Sequence, residues 1–319
     1  MQFLGLVMAL AVGDLYAFGF NESAQSGFRY GPNLSWSLSG NAPFVWGQWL
    51  PQANGAMNFT WLEPLDTLSY GDRLGRTSAY LRMDASVDLT PFYGGYSAGI
   101  GLRPFKMNPQ IEANFTYESY LYFKSNLEMV TADVADGGKI ADTWNADYVV
   151  DNVWNDDAEF DYVQLFDMNV GLSYSFPRGA VLGTVLHYIL SDVSTDYDGK
   201  SYDYKLNIPV FSRDFLIVVD TYGRLPFNEY VALVFENSYY RTGYLRSHNT
   251  VEKESLSYGK FLLGTHFSWA EGLQNITVEL GGWARPKKRF YDGSFAQQFL
   301  IQLEYQGYFS FPFHRNFSE

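Results

Sequence analysis

The chain has 319 residues, and its 35 Asp and Glu outnumber its 22 Lys and Arg, for a formal net charge of -13. That balance excludes a general nucleic-acid partner, which calls for a basic face. The absence of cysteine excludes disulfide frameworks, thiolate metal sites and cysteine nucleophiles. Aromatic residues make up 18% of the chain, a composition that suits strands. The mean hydropathy of -0.18 is too low for a helical membrane protein, and no apolar run reaches the roughly eighteen residues a spanning helix needs. A membrane-crossing strand hides from that index, because every second residue is polar.

In chain order, the apolar stretch Phe3 to Val12 followed by Leu15-Tyr16-Ala17 predicts a signal peptide over residues 1–17, hence export. The first basic residue is Arg29, so the positive lead of such a peptide is missing. The other readings are a start further upstream or a buried first segment. Residues 18–319 form the expected single domain, with 18–30 as a mostly polar lead-in.

Strands are expected at 31–40, 55–65, 75–89, 95–103, 110–124, 161–176, 180–192, 201–222, 229–245, 256–269, 275–289 and 295–311. The clearest is Ala79 to Leu89. Ala79, Leu81, Met83, Ala85, Val87 and Leu89 fall on one side, and Tyr80, Arg82, Asp84, Ser86 and Asp88 on the other. Ile111, Ala113, Phe115 and Tyr117 likewise oppose Glu112, Asn114, Thr116 and Glu118. Phe166, Met168, Val170 and Leu172 oppose Asp167, Asn169, Gly171 and Ser173. Strands of about ten residues with one apolar and one polar face exceed the usual five or six of a soluble sandwich. They fit a closed antiparallel transmembrane β-barrel of about twelve strands, all-β in class.

The connections sort by length. Those at Leu102-Arg103-Pro104-Phe105, Phe176-Pro177-Arg178-Gly179, Gly223 to Asn228 and Ala270-Glu271-Gly272 are tight and rich in Pro and Gly. Those at 125–160, 193–200 and 246–255 are longer and more polar. From Arg103 to Gly272 the two kinds alternate, as short periplasmic turns and longer outer loops require. Three places resist the scheme. The 201–222 segment is long and broken at Phe211-Ser212-Arg213-Asp214. The first hairpin, with Pro43, Pro51 and Pro64, is poorly patterned. The segment from Val181 to Leu190 is apolar on both faces.

By these alternating strands and sorted loops the chain resembles the general class of bacterial outer-membrane β-barrel proteins. The resemblance spans nearly the whole mature chain and rests on pattern, with no diagnostic motif. It implies a place in the bacterial outer membrane, with membrane lipids and the barrel-assembly machinery as partners. Members of that class typically end on an aromatic residue, whereas here Phe317 is followed by Ser318 and Glu319.

With the polar face inward, the candidate lumen lining is Arg82, Asp84, Asp88, Arg103, Glu112, Glu118, Asp167, Glu236, Lys260, His266, Glu279 and Glu304, with Asn114, Asn169 and Gln302 beside them. The leading expectation is a passive, porin-like channel for small hydrophilic solutes, its excess of carboxylates favouring cations or polyhydroxy solutes. The alternative is a non-conducting barrel whose charges pair and fill it, serving as a structural or adhesive surface protein.

The 125–160 loop is acidic, from Glu128 to Glu159 against the single basic Lys139. Asp151, Asn155, Asp156 and Asp157 do not match the spacing of an EF-hand, and no metal or cofactor is expected. An outer-membrane hydrolase is the third reading. His248 beside Ser247 lies in an outer loop, but neighbours on an extended segment point apart, so no enzymatic activity is expected. The basic run Arg285, Lys287, Lys288 and Arg289 reads as a solvated strand end or a contact for anionic headgroups.

Overall fold

In the computed structural model the described residues are 28–45, 48–49, 52–67, 71–72, 74–75, 77–90, 93–122, 162–193, 200–203, 208–211, 215–242, 257–270, 274–284 and 298–309. The expected signal peptide, the 125–160 loop, His248, the basic run from Arg285 and the final Phe317 lie outside them.

The strands are β1 (Gly31–Val45), β2 (Gln48–Trp49), β3 (Gln52–Pro64), β4 (Tyr80–Leu89), β5 (Tyr93–Arg103) and β6 (Gln110–Tyr122). After the first long connection come β7 (Tyr162–Ser175), β8 (Val181–Val193), β9 (Lys200–Asp203), β10 (Ile208–Phe211) and β11 (Phe215–Pro226). The chain continues through β12 (Val231–Thr242), β13 (Ser257–Trp269), β14 (Gln274–Ala284) and β15 (Gln298–Phe309). All pairings are antiparallel, and β15 returns to β1 over a register running from Leu34 against Phe309 to Phe44 against Phe299. That last ladder closes the sheet. Twelve strands make the wall, while β2 extends the first hairpin and β9 with β10 forms a separate two-stranded ribbon. Among the described residues no wall strand is left with an unpaired edge, which is the condition for crossing a hydrocarbon layer with strands.

The 201–222 segment therefore resolves into a ribbon and one wall strand. Its break falls just before Phe215, and the even count survives. The first hairpin forms a full ladder despite its prolines, with Pro64 at the very end of β3. On β8 the ambiguity is settled by burial. Val181, Val185, His187 and Ile189 are buried, and Leu182 and Leu186 are exposed.

The outside of the barrel is apolar around its circumference. Leu38, Met57, Met83, Val87, Ile100, Phe115, Val170, Leu186, Phe261, Leu280 and Ile301 are all exposed, one or more from nearly every wall strand. A soluble surface does not carry an apolar patch of that extent. Aromatics gather at both ends of this belt. Phe105, Tyr174, Phe176, Phe227, Tyr230 and Trp269 sit at the short-turn end, and Tyr96, Tyr162 and Tyr239 towards the other. Such girdles mark the two membrane interfaces.

The short turns hold by local chemistry. Asn228 Oδ1 accepts from the backbone N–H groups of Tyr230 and Val231, both at 2.8 Å. Asn108 clasps the end of β7, donating to the Ser175 carbonyl at 2.7 Å and accepting from its N–H at 2.9 Å. One connection at this end breaks the rule of shortness. It joins β3 to β4, and its Gly71, Asp72 and Leu74 belong to a floor beneath the lumen.

Candidate functional site: the polar lumen

The twelve expected lumen residues all project to the interior parity of their strands. Arg82, Asp88, Arg103, Glu112, Glu118, Asp167, Lys260, His266 and Glu279 are buried. Asp84, Glu236 and Glu304 are partly so. Strand alternation alone places them there, since each shares the parity of buried neighbours and opposes exposed apolar ones.

The structure brings these residues into separate groups. At the short-turn end Arg103 on β5 pairs with Glu112 on β6 at 2.9 Å, and neither side chain has any exposure. Arg103 Nε also donates to the same Glu112 oxygen at 3.0 Å. Tyr80 donates its hydroxyl to that oxygen at 3.0 Å, and the guanidinium lies 4.9 Å from the Tyr80 ring centroid. Beside this group Arg82 meets Asp84 at 2.6 Å, and Thr60 Oγ1 donates to Asp84 at 2.7 Å.

A second group crosses six neighbouring wall strands at mid-height. Asn114 on β6 donates to Asn169 on β7 at 3.0 Å, and Asn169 donates to Asp167 at 2.9 Å. His187 on β8 places Nδ1 at 2.8 Å from Asp167 and Nε2 at 3.4 Å from Asp220 on β11. Ser238 on β12 faces Asp220 in register and donates to Glu236 at 3.1 Å. Glu236 carries the network to β13, where Lys260 Nζ lies 2.6 Å away. His266 stands apart from it, with Nδ1 at 2.9 Å from Thr277 Oγ1. The remaining candidates also face inward, Asp88 on β4, Glu118 on β6, Glu279 on β14 and Glu304 on β15.

Sequence reasoning missed the apolar part of the lumen. Towards the long-connection end the inward positions are Tyr93, Tyr120, Val163, Leu165, Ile189, Leu216, Tyr240, Tyr258 and Trp283, all buried. Tyr93 and Tyr120 have centroids 5.4 Å apart, as do Tyr240 and Trp283. Parity carried the missing signal. Tyr120 shares the face of Glu112 and Glu118, so the alternation that found the acids also points the ring inward.

The floor at the short-turn end was missed as well. Phe28 and Tyr30 precede β1 and lie against Leu62 on β3 and Tyr80 on β4, with Leu74 packed beside them. Their backbone pairs with the connection between β3 and β4. Tyr30 N–H donates to the Asp72 carbonyl at 3.0 Å, Gly71 N–H to Tyr30 at 3.0 Å, and Leu74 N–H to Phe28 at 3.3 Å. Residues 28–30, the described end of the mostly polar lead-in expected over 18–30, thus pack onto the barrel through Phe28 and Tyr30. Burial pushes the Tyr30 phenol above its ordinary range, the Asp66 and Asp72 charges adding to this while Ser78 and Arg103 oppose it.

A closed wall, an apolar belt between aromatic girdles and a charged interior together decide the class. The chain is a closed transmembrane β-barrel protein. No family model matches it, and no curated protein does. Among solved structures it is similar to the NanC porin, at 10% identity and a TM-score of 0.41 over 86% of this chain and 100% of that one. It is similar also to an outer membrane channel from Pseudomonas putida F1, at 11% identity and 0.46 over 89% and 97%. A third is LpxR from Salmonella typhimurium, at 8% and 0.39 over 87% and 100%. At such values these likenesses add nothing to what the barrel's own geometry establishes.

Proposed function

We propose that this protein is a diffusion channel for small hydrophilic solutes, with a preference for cations, whose lumen rests closed. The observation that carries this reading is a pair of polar runs on six neighbouring wall strands, Asn114 to Asp220 and Ser238 through Glu236 to Lys260, set side by side where Asp220 faces Ser238 in register. A barrel serving only as an anchor gains nothing from charges there, because apolar filling of equal volume is commonly as stable as buried ion pairs or more so. Within the network the carboxylates Asp167, Asp220 and Glu236 face the cation Lys260 and the imidazole of His187. This acidic excess supports a cation preference.

The second reading is a permanently sealed barrel acting as a surface protein. It draws support from the complete shielding of Arg103 and Glu112. An enzymatic reading has no observation in its favour among the described residues.

The discriminating experiment is current recording on purified, folded protein in a planar bilayer under a salt gradient. The expected result is discrete current steps with a cation-side reversal potential, shifted towards zero by Asp220→Asn. Absence of any current from correctly folded wild type across the applied voltage range overturns the channel reading in favour of the sealed one.

A further inference from the structure

One imidazole at mid-height lies between two buried carboxylates. On the inner face His187 stands in register with Asn169 on β7 and Val218 on β11. Asp167 on β7 is level with Ile189 and Asp220 on β11 with Val185, so the two acids approach the ring diagonally from opposite sides. Nδ1 lies 2.8 Å from Asp167 Oδ2, and Nε2 lies 3.4 Å from Asp220 Oδ2. The imidazole is 3% exposed, and the Asp167 and Asp220 side chains 10% and 9%.

The contacts show where the protons are. Asp167 Oδ2 also accepts from Asn169 Nδ2 at 2.9 Å, and Asn169 in turn accepts from Asn114 at 3.0 Å. An oxygen facing both groups is a carboxylate acceptor, so Nδ1 carries a proton and donates it. A neutral ring would then aim the Nε2 lone pair at a second carboxylate, a repulsion that burial magnifies. An acid proton on Asp220 would instead bring its oxygen to the roughly 2.5–3.0 Å usual for an O–H donor. The observed separation is that of an ion pair, and the trio is an imidazolium between two carboxylates.

Few other charges bear on the ring. Between Val181 and Ile189 no other inward side chain of β8 titrates. β7 turns Asp167 towards it, and β11 turns Asp220, with Tyr222 and Arg224 further along the same face. Beyond these strands lie Glu112 and Glu118 on β6, Glu236 on β12, and Lys260 and His266 on β13. Glu236 and Lys260 offset one another at 2.6 Å.

We propose that His187 sets the charge selectivity of the lumen by holding one exchangeable proton on Nε2. This rests on the channel reading above. With the proton in place, one positive charge stands against the two carboxylates. Without it His187 opposes neither of them, so the mid-lumen gains a full negative charge and the contact with Asp220 turns repulsive. The preference for cations is therefore weaker in acid and stronger as pH rises.

The test records reversal potentials of purified protein in a planar bilayer under a potassium chloride gradient, from about pH 5 to about pH 9, the span in which imidazoles change charge. The cation-to-anion permeability ratio of wild type is expected to rise at least about two-fold in a single-proton step, since one unit charge in a low-dielectric passage concentrates counter-ions. His187→Gln has no proton to exchange, and its ratio is expected to stay level over the same range.

A second readout does not depend on conduction. The chain has four histidines, and nitrogen NMR of isotopically labelled protein in micelles follows the protonation of each ring. The His187 Nε2 signal is expected to titrate with the same midpoint as the permeability ratio. In case His187→Gln does not fold, the combined variant His248→Gln, His266→Gln and His314→Gln leaves His187 as the sole histidine, and the step is expected to persist in it. A level ratio in conducting wild type, a step that survives in folded His187→Gln, or a midpoint that departs from that of Nε2 overturns the role of His187 and leaves the channel reading standing. Absence of current from folded wild type at every pH overturns both.

Discussion

Arg103 and Glu112, on adjacent strands, form an ion pair at 2.9 Å in which neither side chain meets solvent. The pair is worth little against an apolar substitute, yet each partner is costly to leave alone. Arg103→Met strands a carboxylate that also accepts the Tyr80 hydroxyl, and is expected to destabilise the barrel by about 3–5 kcal/mol. Replacing both residues by methionine is expected to cost much less than the sum of the single changes. Denaturant unfolding of the two single variants and the double variant in detergent micelles measures this coupling, and additivity would show that the pair is not a unit.

Met83 and Asp84 are chain neighbours on opposite faces of β4, one exposed to the surroundings and the other turned into the lumen. Met83→Arg puts a charge against hydrocarbon and is expected to cost about 2–4 kcal/mol if its position is near the bilayer midplane. Asp84→Asn is harmful for another reason. It weakens the partner of buried Arg82 at 2.6 Å and an acceptor for Thr60 at 2.7 Å, a loss of about 1.5–3 kcal/mol for hydrogen bonds to a charged group. The first penalty should shrink in thinner bilayers, whereas the second should not depend on thickness. Unfolding from vesicles of different acyl length checks both.

Gly281 shows how tightly the wall is built. A Cβ at this position would strike the backbone carbonyl oxygen of Phe261 on the neighbouring strand. At Gly183 the obstacle is instead the Tyr222 ring, a side chain that can turn aside. Gly281→Ala is therefore expected to lose about 1–3 kcal/mol through forced backbone movement, and Gly183→Ala less. Equal losses in a refolding assay would remove the distinction between backbone and side-chain obstacles.

Most of the wall was legible in the sequence because a strand's period is fixed and the lipid demands a continuous apolar face. Met83, Phe115 and Val170 reveal their strands by contrast with Arg82, Glu112 and Asn169. Closure followed from the even count, although only the ladder between β1 and β15 demonstrates it. The segment at 201–222 misled because a ribbon of four-residue strands carries the same strand-like composition as the wall strand that follows it.

Inside the barrel the reading was poorer. A selection built on polarity finds Glu118 but passes over Tyr120 two residues later, although both face inward and both are buried. The floor was invisible for a different reason. It joins two short stretches, 28–30 and 71–74, neither long enough to show a period, through contacts that depend on the barrel having already closed around them. Likewise nothing in the local sequence of His187 tells that Asp167 and Asp220 converge on it from neighbouring strands.

The central claim is that β4 is a lipid-facing strand of a closed barrel, and nitroxide scanning from Leu81 to Asp88 tests it most directly. The chain has no native cysteine to interfere. In bilayers, labels at Leu81, Met83, Ala85 and Val87 are predicted to be relaxed strongly by oxygen and weakly by a water-soluble nickel chelate. Labels at Arg82, Asp84, Ser86 and Asp88 should lack that oxygen enhancement, giving a period of two along the strand. A uniform profile, or strong relaxation by the aqueous chelate at Met83 and Val87, would contradict the barrel account.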